Sequence, residues 1–181
     1  MKNFPKLTAK GATISDDGLY RYVLWRVWDT NLPTALFVML NPSTADYDSD
    51  DATIRRCMDF SWRWGYGELR VVNLFAYRNR EAAKMLRAAD SVGPQNDRNI
   101  LAEAKAADLV LCAWSGWSHK KVDARASAVE RLIRVEAQRT LMCLGLTAWK
   151  RPVHPLYQRK DLKPTPYTVV TKDPFHVEII D

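Results

Sequence analysis

Four apolar runs, each the length of a strand and none with polar alternation, recur through the middle of the chain: Ala35–Leu40, Leu69–Phe75, Leu109–Trp114 and Leu141–Leu144. A strand that is apolar on both faces has to be covered on both faces, which is the pattern of parallel strands layered between helices. Helical patterns fall in the intervals. Ser49 is placed to cap a helix over about Asp50–Trp64, with Asp50 and Asp51 in its electropositive first turn and Ile54, Cys57, Met58 and Ser61 along one face. A short helix at about Glu81–Ala88, one opened by Pro94 and running to about Ala107, and a long one over about Val122–Gln138 follow. The alternation predicts an α/β fold: a three-layer sandwich around a central, mainly parallel four-stranded sheet. Ahead of it, Thr13–Ile14 and Leu19–Trp28 flank Ser15-Asp16-Asp17-Gly18, which is tight-turn chemistry and predicts an N-terminal antiparallel hairpin.

At 181 residues the chain reads as a single domain, residues 1–181, with the hairpin at 14–28, the α/β core at 34–150 and a basic, proline-rich segment at 151–181 that ends in an edge strand, Phe175–Ile180. A membrane span needs about 20 consecutive apolar residues, and no run approaches that. Met1–Leu7 is not followed by the apolar stretch of a secretory signal. The three cysteines, Cys57, Cys112 and Cys143, form no CxxC pair, and Cys112 and Cys143 sit inside apolar runs as small core residues. These features predict a cytoplasmic protein without membrane contact.

In an open α/β sheet the ligand crevice lies beyond the carboxyl ends of the strands. The first inner strand ends in Asn41-Pro42-Ser43, the second contains Asn73 followed by Phe75 and Tyr77, the third leads into Trp114-Ser115-Gly116-Trp117-Ser118-His119, and the fourth leads to His154-Pro155-Leu156-Tyr157. Asn41 either orients a water through its carbonyl, with Pro42 fixing the turn that aims it, or joins Ser43 in capping loop backbone. Asn73 lies amid apolar neighbours, where leaving an amide unpaired costs roughly 1–3 kcal/mol; it is either an internal bridge or a reader of a base edge. His154, in a loop, is suited to donate to a developing anion, and His119 is a second candidate; His176 looks ordinary. Tyr77, Trp114, Trp117 and Tyr157 either stack on a flat ligand or lid the core.

The net charge of +6 invites a polyanion. From Lys150 to Lys172 six basic side chains face the single Asp161, so Lys150, Arg151, Arg159 and Lys160 read either as a phosphate-tracking rim around His154 or as a solvated loop. Four acids between Asp46 and Asp51 oppose a backbone on the Asn41 side. Asp46, Asp48 and Asp50 open with calcium-loop spacing, but Asp51 and Cys57 stand where its glycine and glutamate belong. GxGxxG, GxxxxGK[ST] and GxSxG are all absent, and neither a metal nor a cofactor is expected.

Met39-Leu40-Asn41-Pro42-Ser43-Thr44-Ala45-Asp46, Asp51-Ala52-Thr53-Ile54-Arg55-Arg56-Cys57, Trp64-Gly65-Tyr66-Gly67, Val72-Asn73-Leu74-Phe75-Ala76, Val92-Gly93-Pro94-Gln95-Asn96-Asp97 and His154-Pro155-Leu156-Tyr157 together resemble the family catalogued as domain of unknown function 1643, over about Tyr20–Tyr157. More distantly, Asn41-Pro42, Asn73 and His154-Pro155 are similar in order to motifs of the uracil-DNA glycosylase superfamily. Leu40 replaces a glycine of that pattern, and Leu156-Tyr157 replaces its Ser-Pro. The resemblance implies that Asn41 orients the attacking water, Asn73 reads an extruded base, His154 stabilises the charge on the departing base, and Phe75 or Tyr77 stacks on it. It implies hydrolysis of the N-glycosidic bond of a modified or mismatched base, in DNA or a nucleotide. The alternatives are a module that binds a nucleic acid or modified nucleotide without chemistry, and a nucleoside hydrolase without duplex contacts. A protein that tracks DNA loses affinity steeply with salt, whereas a nucleoside enzyme does not.

Overall fold

The structure is a computed structural model describing residues 4–43, 50–115 and 119–168. Seven strands form one sheet in the order β1-β2-β4-β3-β5-β6-β7. They are β1 (Ala9–Ile14), β2 (Arg21–Val27), β3 (Thr34–Met39), β4 (Glu68–Asn73), β5 (Leu109–Cys112), β6 (Leu141–Cys143) and β7 (Thr165–Pro166). The four apolar runs are its parallel centre: β3 pairs with β4 on one side and β5 on the other, and β5 pairs with β6. The sheet does not stop at four strands. The hairpin β1-β2 is not a separate appendage, because β2 pairs antiparallel with β4, Leu24 opposite Val71, and so extends the same sheet. At the other edge β7 pairs antiparallel with β6. Both open edges of the parallel core are thereby covered by antiparallel strands. The predicted edge strand Phe175–Ile180 lies outside the described residues.

From β3 the chain crosses through α1 (Ala52–Arg63) to β4, then moves to the opposite side of β3 through α2 (Ala82–Arg87) and α3 (Asn96–Ala106) to β5, and on through α4 (Lys120–Arg131) to β6. Crossovers of one hand that travel in opposite directions put their helices on opposite faces. Ile54, Cys57, Met58 and Phe60 of α1 accordingly pack with Ala35, Phe37, Leu69 and Val71, while Ile100, Ala104, Val122, Ala126 and Val129 pack with Leu36, Val38 and Val72. Alternate residues of one strand thus enter two separate cores, the physical reason that the runs lack polar positions.

Helix boundaries differ in detail from the sequence expectation. The N-cap of α1 is Asp51 rather than Ser49: its Oδ1 accepts from the Ile54 amide at 2.8 Å, while Asp50 pairs with the buried Arg26 guanidinium at 2.7 Å. The long fourth helix ends its α-helical part at Arg131 and continues as a π-helical turn, Leu132–Glu136.

Gly67 enters β4 where no side chain fits. A Cβ there would lie 1.9 Å from the Asp29 carbonyl oxygen and 2.8 Å from the Leu32 Cβ, and the Gly67 carbonyl accepts from both the Trp28 and Asp29 amides. Because the obstructing atom is backbone, Gly67→Ala is expected to destabilise the protein at or above the upper end of the roughly 1–3 kcal/mol typical of overpacking, read from urea unfolding midpoints. Wild-type stability in that variant would show that the β2–β3 turn moves aside at little cost.

Candidate functional site

The order of the parallel strands reverses at β3, between β4 and β5, which is where an open α/β sheet leaves a crevice at its carboxyl end. A cleft of about 220 Å³ lies there, lined by Met39 at the end of β3 and Leu40, Asn41 and Ser43 beyond it, Val71 and Asn73 of β4, Trp114 and Ser115 beyond β5, Asp51, Thr53 and Ile54 at the start of α1, Arg21 of β2, and His154. Asn41, Ser43 and Asp51 also line an adjoining compartment of about 290 Å³ with Asn79 and Arg80. Asn41, Asn73 and His154 therefore share one crevice.

Each of the three is held by backbone that the fold fixes independently. The Asn41 Nδ2 donates to the Asn79 carbonyl at 2.6 Å, so the amide does stitch the loop, and its oxygen takes no hydrogen bond among the described residues. Beyond β4 the Leu74 amide donates to the Met39 carbonyl at 2.8 Å, and the buried Asn96 Nδ2 donates to the Asn73 and Leu74 carbonyls at 3.0 and 3.1 Å. The strand end is thus clamped, yet the Asn73 side chain, only 2% exposed, makes no hydrogen bond among the described residues and faces the cleft. His154 caps a 3₁₀ turn, Pro155–Tyr157, its Nδ1 accepting from the Leu156 amide at 3.3 Å. That bond leaves Nδ1 unprotonated and makes Nε2–H the donor toward the cleft.

Burial lowers the His154 pKa below its ordinary 6.5, opposed by the Asp51 carboxylate. The ring is therefore a neutral donor at neutral pH. Between its lowered value and 6.5 the unfolded chain binds a proton that the folded chain does not, so stability is expected to fall as pH drops through that window. His154→Gln should flatten that limb of a urea-midpoint profile while leaving the values above 6.5 parallel to wild type. A profile identical to wild type below 6.5 would mean that the folded ring titrates normally.

Two charged lining residues were not singled out by the sequence reading. Arg21, 5% exposed, brings a guanidinium from β2 whose pKa burial lowers to about 10, opposed by Asp51, so it stays cationic. Asp51 accepts from the Ser43 hydroxyl at 3.2 Å as well as capping α1, and it is the one carboxylate among the described lining residues. Its sequence signal was the helix start itself, since a capping carboxylate must stand at the mouth of a helix. The Arg21 signal was weaker: a charged residue opening an apolar strand. Ser115 has φ 68°, a left-handed backbone that strains any residue but glycine, and its amide donates to the Pro152 carbonyl at 2.9 Å.

Of the remaining candidates among the described residues, Trp114 alone lines the cleft. Pro42 is buried under the Asn41 turn. Phe75 is fully buried in the core, because the chain leaves β4 at Asn73 and the alternation of faces no longer carries past it. Tyr77 packs edge-on against Tyr20 at 5.9 Å, across an antiparallel bridge. Trp114 walls the cleft but also meets the Tyr167 ring edge-on, so it serves as lid and wall together. His119 is exposed and caps α4 through Nδ1, and Tyr157 is 88% exposed outside the cleft. Trp117 and His176 lie outside the described residues. Of the basic rim, Arg151 pairs with Asp123 and Arg159 with Asp161, whereas Lys150 and Lys160 are exposed and make no ion pair among the described residues. Among those residues no three His, Cys, Asp or Glu side chains gather as a metal set, and no helix is long and apolar enough to cross a membrane.

The family model described as Protein of unknown function (DUF1643) matches residues 21–156, a span that begins at Arg21 and ends just past His154 and so holds the whole cleft. No curated protein matches. Among solved structures, the hetero-hexameric glutamate dehydrogenase of Thermus thermophilus in its leucine-bound form overlays 71% of this chain at 12% identity and a TM-score of 0.31. The chain spans 30% of the length of that protein.

Proposed function

We propose, for a chain that belongs to the DUF1643 family, that the cleft receives a single heterocyclic base and that the protein hydrolyses the N-glycosidic bond holding it, in DNA or in a nucleotide. The observation that carries this reading is the buried Asn73 amide, with donor and acceptor both uncommitted, in one crevice with the neutral His154 Nε2–H donor. An amide offers a donor and an acceptor side by side, which is what a base edge requires. Met39, Leu40, Val71, Ile54 and Trp114 give that crevice apolar walls for a flat ring. At about 220 Å³ it is smaller than the roughly 300–1,000 Å³ of drug-sized pockets and suits one ring system. The order Asn41-Pro42, Asn73, His154-Pro155, similar to that of the uracil-DNA glycosylases, supports the same chemistry.

In this reading a water held by the Asn41 oxygen attacks the sugar carbon as the bond to the base breaks. The bonding electron pair leaves with the base, where the His154 Nε2–H stabilises it, and Asp51 accepts the proton of the water. Asp51 also faces the positive charge that develops on the sugar. The adjoining compartment, with Asn79 and Arg80, holds the sugar and its phosphate. Lys150 and Lys160 contact the backbone of a DNA substrate in the cytoplasm.

The test is incubation with oligonucleotides carrying uracil, mismatched or hypermodified bases, read by cleavage at abasic sites. Wild type should cut at least one of them, and an Asn41→Ala, His154→Ala double variant none. If wild type and the double variant behave alike on every substrate, the hydrolytic assignment is wrong. Binding that depends on Asn73 with no abasic product would instead identify a reader of bases without chemistry.

A further inference from the structure

After β6 the chain makes a second, much smaller hairpin. Leu146 bridges Pro152 antiparallel, the Thr147 amide donates to the Arg151 carbonyl at 2.8 Å, and the Lys150 amide returns to the Thr147 carbonyl at 2.9 Å. Lys150 has φ 59°. These bonds define a three-residue loop, Ala148-Trp149-Lys150, in which a turn is closed by a left-handed residue. Glycine adopts that backbone freely, and a lysine adopts it at a cost.

Two features of the loop have no function in folding. Trp149 leaves 66% of its surface exposed, so its indole contributes little to any core. Lys150 stands at the strained position with its ammonium in solvent and no ion pair among the described residues. The root of the hairpin, by contrast, is built into the cleft. The Pro152 carbonyl accepts from Ser115, the Val153 amide donates to the Gly145 carbonyl at 3.0 Å, and the next residue is His154. A flat apolar face and a cation are thus displayed together on a short finger whose return leg leads into His154 of the crevice.

We propose that this finger is the docking element for single-stranded nucleic acid, with Trp149 stacking on an unpaired base and Lys150 contacting a neighbouring phosphate. It rests on the base-binding reading of the cleft and adds the form in which the substrate arrives. A partner that fits must offer a flat ring and a negative charge within one residue's reach of each other, repeated along a chain that also delivers a base to the crevice. A nucleic-acid strand has that chemistry. Duplex DNA buries its base faces in the stack and should bind more weakly.

The experiment uses the full chain and a short fluorescein-labelled single-stranded oligonucleotide, with anisotropy measured at low and moderate salt. Trp149→Ala is expected to weaken binding about 5- to 100-fold and Trp149→Phe to restore most of it, since one base–aromatic stack is removed or kept. Lys150→Gly removes the cation while relieving the backbone, so it should lower the salt slope by about 0.7, the worth of one phosphate contact on a single strand, without loss of thermal stability. Strand binding unchanged in Trp149→Ala, or absent in wild type at low salt, overturns the proposal. So does a dimer that Trp149→Ala dissociates, which would make the finger a contact between copies. A separate titration with free bases and nucleosides on wild type and Asn73→Ala keeps the two readings apart. If these ligands depend on Asn73 while strands ignore Trp149, the finger is wrong and the cleft reading stands; the reverse pattern removes the cleft reading and keeps the finger.

Discussion

Asn73→Leu is expected to raise the melting temperature and lower substrate turnover by about 10²–10³-fold in one variant. The amide sits at the carboxyl end of β4, 2% exposed, and the fold spends no hydrogen bond on it among the described residues. Its donor and acceptor atoms open on the cleft and are not fully buried, so holding them without a protein partner costs less than the roughly 1–3 kcal/mol of a sealed polar group. Leucine has nearly the same shape and none of the desolvation cost. A gain of about 1 kcal/mol corresponds to about 2–4 °C for a chain of this size. The same change removes the donor and acceptor that the proposed reading gives to a base edge, and the loss of one such preorganised contact costs about 10²–10³ in rate. The two effects of opposite sign are the diagnostic. A residue that only braced the fold would lose stability on becoming apolar, and a lower melting temperature with binding intact would identify Asn73 as an internal bridge.

Asp51→Asn should lower turnover by about 10²–10⁴-fold, the range of a general base, while keeping the helix cap, with some loss of melting temperature because the buried Arg21 guanidinium loses the carboxylate that favours its charge. Asparagine caps helices about as well as aspartate, so the bond to the Ile54 amide survives, and the amide can still meet the Ser43 hydroxyl. What is lost is the one carboxylate among the described lining residues of the cleft. Asp51→Ala separates the two functions. It should lose the same turnover and also about 0.5–2 kcal/mol of stability, the typical worth of a cap. Full activity in Asp51→Asn would leave water activation to Asn41 alone and remove the base from the proposed mechanism. Single-turnover measurement is the appropriate readout, because product release can mask a slower chemical step.

The central sheet was legible because a strand covered on both faces can have no polar period. Ala35–Leu40 and Leu69–Phe75 announced themselves by the absence of alternation, and the structure sends alternate residues of each into the two cores. Its full width was not legible. Pairing of β2 with β4 depends on hydrogen bonds between backbones distant in sequence, which leave no mark on the side-chain pattern of either strand. The same limit appears at Phe75, whose place in the core follows from where β4 stops.

By itself the sequence determined where the chain can bury strands and which residues follow them. In an open α/β sheet that already brings Asn41, Asn73 and His154 toward one end, because strand direction and strand end are local properties. Tertiary structure decided everything that depends on distance across the chain. It brought Arg21 and Asp51 into the crevice, committed Arg151 and Arg159 to carboxylates, turned His119 and Tyr157 away, and left Trp149 exposed on the hairpin that precedes His154. A side chain's charge and shape are written in the sequence. Its partner is set by packing among elements whose separation along the chain carries no information about their separation in space.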